Sequence, residues 1–307
     1  MAQQWEIDGP KVLDIGGEGE TVHRLKVGLV GGHVDIVTHD DSSTARLEVH
    51  EVVGRPLQVT WTGSTLRVSH VKEDADNLFE SLKQSFASFG NRQLRARVSL
   101  SVPAAAEVSV STVSADALVN GVRAEVRANT VSGSLTLDDI AGDVKANTVS
   151  GEVECHGLAG NFTGKSVSGP VTVQASRLGA IKLNTVSGDI ALDLTSGAAQ
   201  ISSNSVSGDV TVRIPAGGGF DVTAHTASGQ VVIDGRRVTI PGSRRPGGQL
   251  SEGDRALAIK ANAVSGNVVM LRAATSGTPQ DTPPETPQDS PRDTPQDVPG
   301  DTESAAG

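Results

Sequence analysis

Asp189 and Asp209 each follow a glycine in adjacent copies of a repeated phrase, with Glu152 two copies earlier. Paired carboxylates at a fixed offset are what glycoside cleavage needs, one as acid and one as base or nucleophile. The equivalent place in other copies holds Ser134, Pro170, Gln230 or Asn267, so the carboxylates are not a constant of the pattern. The chain also has no Tyr, two Trp and five Phe, which leaves few rings for a sugar platform. Five of the seven histidines (His23, His33, His39, His50 and His70) lie in the first seventy residues. None has the H-E-x-x-H spacing that puts two imidazoles on one helix face for zinc. His39 beside Asp40 and Asp41 is the tightest local group, but a metal needs a second ligand pair. Cys155 stands alone where other copies carry Leu, Val, Ile or Met, and reads as a small buried hydrophobe. Nucleophile-elbow and P-loop patterns are absent. These residues predict no catalytic centre, no metal and no cofactor.

The elements that would position such residues come from the repeat itself. RANTVSGSLTL at 127–137 returns as KANTVSGEVEC at 145–155, and then as five further near-copies. The glycine falls at Gly133, Gly151, Gly169, Gly188, Gly208, Gly229 and Gly266. Counted from a degenerate copy with Ala115 in the glycine place, the steps are 18, 18, 18, 19, 20, 21 and 37. A near-constant period predicts a stacked array of one unit. Within a copy, Val144 and Ala146 alternate with polar residues, as do Val153 and Cys155 after the glycine. The parity changes across Asn147–Val149, so the chain must bend there. A second bend follows at 156–161, with Leu158 as its apolar residue.

Each unit is thus two short strands and two bends, and the fold class is all-β: a single-stranded β-helix or β-solenoid of about 18-residue coils. Four aliphatic columns are expected to face inward. They run through Val126, Val144 and Phe162; through Val131, Val149, Val167, Val186, Val206 and Val264; through Leu135 and Val153; and through Leu137 and Cys155. The glycines would allow an unusual backbone geometry or close approach of the next coil. Asn129, Asn147, Asn184, Asn204 and Asn262 would stack as an amide ladder at the bend, with neighbouring Ser and Thr bonding the turn backbone. The phrase therefore reads as a structural brick.

Three regions follow. Residues 1–110 hold alternating strand patterns, read as N-terminal coils or a capping sheet, and one helical candidate at about 75–90. Asp74 or Asp76 can cap that helix, Gly90 can stop it, and Leu78, Phe79, Leu82, Phe86 and Phe89 form a stripe. The stripe reads as a packed face, or as a partner-binding or membrane-surface helix whose polar side lacks basic residues. Residues 111–273 hold the solenoid. Within them, 234–255 reads as a loop inserted into one long coil, or as a degenerate extra coil. It carries Arg236, Arg237, Arg244 and Arg245 in an otherwise acidic chain. A solvated loop and a contact with an anion or protein partner both fit. Residues 274–307 repeat Thr-Pro-x-Asp tetrads and read as an extended, disordered tail that solubilises, docks or is modified.

Formal net charge is −10, of which the tail holds −6, which argues against nonspecific nucleic-acid binding. The first thirty residues contain no apolar run of the signal-peptide kind, and no stretch approaches eighteen apolar residues. The expectation is a cytoplasmic protein, with peripheral membrane association open and oligomeric state unread. The V-x-x-N-T-V-S-G-D-V phrase resembles the bacterial putative-adhesin β-strand-repeat family, grouped with the Toastrack domains, over roughly residues 20–271. The resemblance implies a β-helix-like fold, no established catalytic residues, and company with envelope-stress modules. The resulting expectation is a non-enzymatic interaction scaffold linked to envelope stress. A surface adhesin exported by a nonclassical route is the alternative, and a polysaccharide-active enzyme a third.

Overall fold

The computed structural model describes residues 2–17, 19–70, 94–196, 199–217, 219–238 and 247–273. Met1–Ala273 form one compact unit. The tail is assigned to a second unit and lies outside the described residues, as does the expected helix at about 75–90 with Phe79, Phe86 and Phe89. No helix occurs among the described residues, which carry 25 strands.

The strands form two long stacks. Sheet A runs, in spatial order, β1 (Gln3–Ile7), β6 (Leu57–Trp61), β7 (Thr65–Ser69), β3 (Arg24–Leu29), β9 (Glu107–Thr112), β11 (Val126–Thr130), β13 (Val144–Thr148), β15 (Ala159–Ser166), β16 (Val171–Thr185), β18 (Ala199–Ser205), β24 (Leu257–Ala263), β20 (Phe220–His225) and β23 (Gly247–Glu252). Sheet B runs β2 (Lys11–Ile15), β5 (Ala45–Val53), β8 (Arg95–Pro103), β4 (Gly32–His39), β10 (Asp116–Asn120), β12 (Leu135–Asp138), β14 (Val153–His156), β16 again, β17 (Ile190–Leu194), β19 (Val210–Ile214), β25 (Val268–Arg272), β21 (Val231–Ile233) and β22 (Arg236–Arg237). The long β16 passes from sheet B to sheet A through its residues 176–180. Pairing within the stacks is parallel and joins equivalent positions of successive copies, as in Val126↔Val144↔Phe162. The outermost strands pair antiparallel and close both ends. Closure matters because an open parallel edge would recruit other strands.

The core lies between the sheets. Val126, Val144, Phe162, Ile181 and Ile201 form one buried column, and the columns through Leu135 and Leu137 are buried as expected. The bend adds another, through Val122, Ile140, Leu158 and Leu178. Burying one such aliphatic side chain is worth about 1.5–3 kcal/mol, and each coil supplies several.

Two expectations fail. The column through Val149, Val167, Val186, Val206 and Val264 points outward, with exposures between 38% and 52%. The preceding Thr or Ser takes the inward place instead: Thr130, Thr148, Ser166, Thr185 and Ser205 are buried. Their hydroxyls close the turn, which throws the valine to the outside. Second, 234–255 is not a bare loop where it is described: it supplies β22 and β23, which pair antiparallel with β21 and β20 in the closing cap.

The coils are also out of sequence order. The last copy, β24 and β25, lies between the coil of β18 and β19 and the coil of β20 and β21. The N-terminal end repeats the device: β3 and β4 lie between the β9–β10 coil and the coil of β7 and β8.

Candidate functional site

In the repeat region the phrase forms the turn from sheet A to sheet B. Thr148 Oγ1 donates to the Gly151 carbonyl at 2.8 Å, and Gly188 N–H donates to Thr185 Oγ1 at 2.9 Å. The second serine stitches coil to coil: Ser168 donates its N–H and its hydroxyl to the Val149 carbonyl, at 2.8 and 3.2 Å. The glycine is required by close approach. A Cβ on Gly169 would stand 1.9 Å from the Gly151 carbonyl oxygen, and one on Gly151 2.1 Å from that of Gly133. The same contact recurs at Gly188, Gly208, Gly266 and Gly229, each against its spatial neighbour. None of these glycines needs a left-handed φ. Asn147 donates to Asn129 at 2.8 Å, Asn204 to Asn184 at 3.0 Å, and Asn262 to Asn204 at 3.0 Å. This ladder sits at the end of the sheet A strands, on their outer face, rather than within the bend, and Lys165 interrupts it. Only the valine of the phrase makes no such bond through its side chain.

The chemistry-bearing residues are dispersed. Asp189 accepts the Asp209 N–H at 2.8 Å, and Asp209 accepts the Asn267 N–H at 2.7 Å. These carboxylates cap the next coil's backbone and do not face each other across a cleft. His39 Nδ1 lies 3.1 Å from Asp41, and its Nε2–H donates to the Thr44 carbonyl at 3.1 Å. His33 pairs with Asp35 at 2.9 Å, and His50 with Ser99 at 3.0 Å. Among the described residues no group of three His, Cys, Asp or Glu side chains is placed to hold a metal. His70 is fully buried; its Nδ1 accepts the Val30 N–H at 3.1 Å. Burial, helped by the Arg55 charge, holds its pKa down at about 4. Cys155 is buried, and burial pushes its thiol pKa far up.

Of the predicted partner contacts, Arg236 and Arg237 lie exposed on β22 at the sheet B cap, where Arg237 donates to Gln230 at 2.9 Å. Arg244 and Arg245 lie outside the described residues. Arg272, not singled out in the sequence, pairs with Asp234 at 2.7 Å and sits 4.9 Å from the Phe220 ring centre.

A second feature escaped the sequence reading. One outward column of sheet A runs Lys26, Ser109, Arg127, Lys145, Thr163, Lys182, Ser202, Lys260. The signal for it in the sequence is the polar position that follows the first buried residue of each copy. Its C-terminal half lines an open groove of about 630 Å³, with Gln200 and Ser202 on the strand between Lys182 and Lys260 and Asn161 on the strand beyond Lys182.

Two parallel stacks joined by glycine turns, with outward faces of regularly repeated side chains, define a β-solenoid domain. The chain belongs to the Toastrack DUF4097 family, whose model matches residues 21–270. No curated protein matches it at a significant level. Solved structures similar to it include a putative adhesin from Bacteroides fragilis, with 13% identity, covering 85% of this chain and 97% of that one at a TM-score of 0.44. A putative lipid binding protein from Parabacteroides distasonis has 14% identity, 87% and 97% coverage and a TM-score of 0.43. A putative cell adhesion protein from Clostridium sporogenes has 10% identity, 86% and 100% coverage and a TM-score of 0.26.

Proposed function

We propose that the chain is a non-enzymatic binding scaffold that displays long, regular outward faces to a protein partner in the bacterial cell, at or near the envelope. One observation carries the reading. The polar side chains repeated most often are engaged in coil-to-coil and turn bonds. What remains outward is a ridge of valines and two sheet faces, which are surfaces for contact. Arg236 and Arg237 stand as candidate contacts on the sheet B cap. The link to envelope stress, and a cytoplasmic or peripheral-membrane location, rest on the family resemblance and the sequence, and belong to this proposal.

The test places a photo-crosslinking residue at Lys182 on sheet A, Val167 on the ridge, or Thr172 on sheet B, in cells making the chain from its own locus. A discrete adduct from one position, recovered with cytosol or salt-washable membrane, is the expected result. Absence of adducts from all three positions would remove the scaffold reading. Protein accessible to protease on intact cells would replace it with the surface-adhesin reading. Release of reducing ends from a glycan panel by purified protein would replace it with an enzyme.

A further inference from the structure

We infer that the outer face of sheet A is a binding track for a linear acidic polysaccharide carrying one carboxylate per disaccharide. This goes beyond the protein-scaffold reading and gives the sheet A face a ligand of a different class.

The argument starts from charge. The chain is acidic overall, yet the neighbouring sheet A segments 159–166, 180–185, 199–205 and 257–263 carry Lys165, Lys182 and Lys260 and no carboxylate. All three lysines are exposed, and among the described residues none forms an ion pair within the structure's salt bridges. Farther along the same column, Arg127 and Lys145 share Glu125, at 2.6 and 2.8 Å. Lys165 and Lys182 are therefore unneutralised beside the groove, whereas Lys260 feels the Asp221 carboxylate on the adjoining strand β20.

Spacing comes next. Lys145, Lys182 and Lys260 lie on every second strand, with Thr163 and Ser202 on the strands between. Two parallel strand spacings come to about 10 Å. An extended disaccharide of a linear glycan advances by a similar length, so a carboxylate on alternate sugars meets Lys182 and Lys260 at successive steps. The sugars between would lie over Thr163 and Ser202, whose hydroxyls can donate and accept.

The amide ladder completes the track. Each of Asn184, Asn204 and Asn262 uses part of its bonding capacity on its neighbour. An amide has two donor hydrogens and two acceptor lone pairs, so each keeps capacity for sugar hydroxyls. With no aromatic side chain exposed in the groove, recognition falls to charge and hydrogen bonds, which disfavours neutral glycans.

The experiment measures binding of the full chain, by calorimetry at about 150 mM salt, to hyaluronan oligosaccharides, neutral dextran and polyphosphate. Hyaluronan has one carboxylate per disaccharide and serves as the probe of the class. The expectation is saturable binding to hyaluronan, weaker binding to polyphosphate and none to dextran. K182Q/K260Q together should weaken hyaluronan binding by about tenfold, the size of two exposed, salt-screened ion pairs. Arg236→Gln, on the sheet B cap, should leave it unchanged, and melting curves check that both variants are folded. No saturable hyaluronan binding, a double variant that binds as tightly as the parent, or polyphosphate binding at least as well would each overturn the inference. If it is overturned while the cross-linker at Lys182 still yields a discrete protein adduct, the glycan assignment falls and the scaffold reading stands.

Discussion

Replacing Gly169 with Ala tests whether the phrase is structural. The added Cβ would lie 1.9 Å from the Gly151 carbonyl oxygen and 2.8 Å from its carbon. Both are backbone atoms, so no rotamer change relieves the clash, and the coils must separate locally by more than about 1 Å. At that opening the Ser168 N–H bond to the Val149 carbonyl, now 2.8 Å, and the Val167 N–H bond to the Thr148 carbonyl, now 3.2 Å, are lost or badly stretched. The Ser168 hydroxyl bond at 3.2 Å goes with them. Each lost bond removes about 1 kcal/mol, and more where a buried group is left unpaired. The expected destabilisation is about 3–5 kcal/mol, which for a domain of this size lowers the melting temperature by roughly 10 °C. The adjacent Val167→Ala supplies the comparison. Val167 is 47% exposed, so its truncation should change stability by no more than about 0.5 kcal/mol. Thermal unfolding followed by far-UV circular dichroism, with hydrogen exchange over residues 159–188, reads both variants. A Gly169→Ala protein that melts within about 2 °C of the parent would refute the close-approach argument. So would a Val167→Ala variant that is equally damaged.

Three further outcomes follow from single residues. Ser203 is buried between Leu183 and Ala261 in an otherwise apolar column, and its hydroxyl has no partner among the described residues; Ser203→Ala should stabilise by about 1 kcal/mol, seen as a higher melting temperature. His70 has its pKa depressed from 6.5 to about 4, so the unfolded chain binds more protons between those values and stability falls as pH drops through that window. At about 1.4 kcal/mol per pH unit, acidification from 6.5 to 4 removes about 3 kcal/mol, and His70→Gln should flatten that part of a denaturant-midpoint profile against pH. Cys155, buried and with its pKa pushed far up, should resist alkylation by iodoacetamide at pH near 8 until the protein is unfolded; labelling of native protein would contradict its placement.

Much of the architecture is legible because strands alternate with a period of two. Val144, Ala146, Val153 and Cys155 declare their side by parity, and the registers Val126↔Val144 and Leu135↔Val153 follow from the repeat length. Parity fails at a turn, where backbone geometry decides which side chain points in. Thr148 and Val149 differ little in size, and only the hydroxyl bond to the Gly151 carbonyl shows that Thr148 is the inner one. Coil order is hidden for another reason. Gly208, Gly229 and Gly266 head near-identical copies, so any two could pair in register, and the choice depends on connections that no local pattern records. Of the candidate contacts, the arginines were legible as a basic cluster, whereas the lysine column emerges only when polar positions from distant copies are laid side by side.

The displaced last coil has a consequence for how the protein is made. During vectorial synthesis β20 and β21 leave the ribosome before β24 and β25, yet in the finished molecule Val210 pairs with Val268, and Val268 in turn with Val231. The nascent penultimate coil can therefore occupy the edge of β18 and β19 early, as a near-cognate guest, and must leave it when the final copy arrives. Growth at this end is a strand-exchange step and not an extension, so it should be the slow phase of refolding. A chain cut before residue 257 should settle with the wrong coil against that edge.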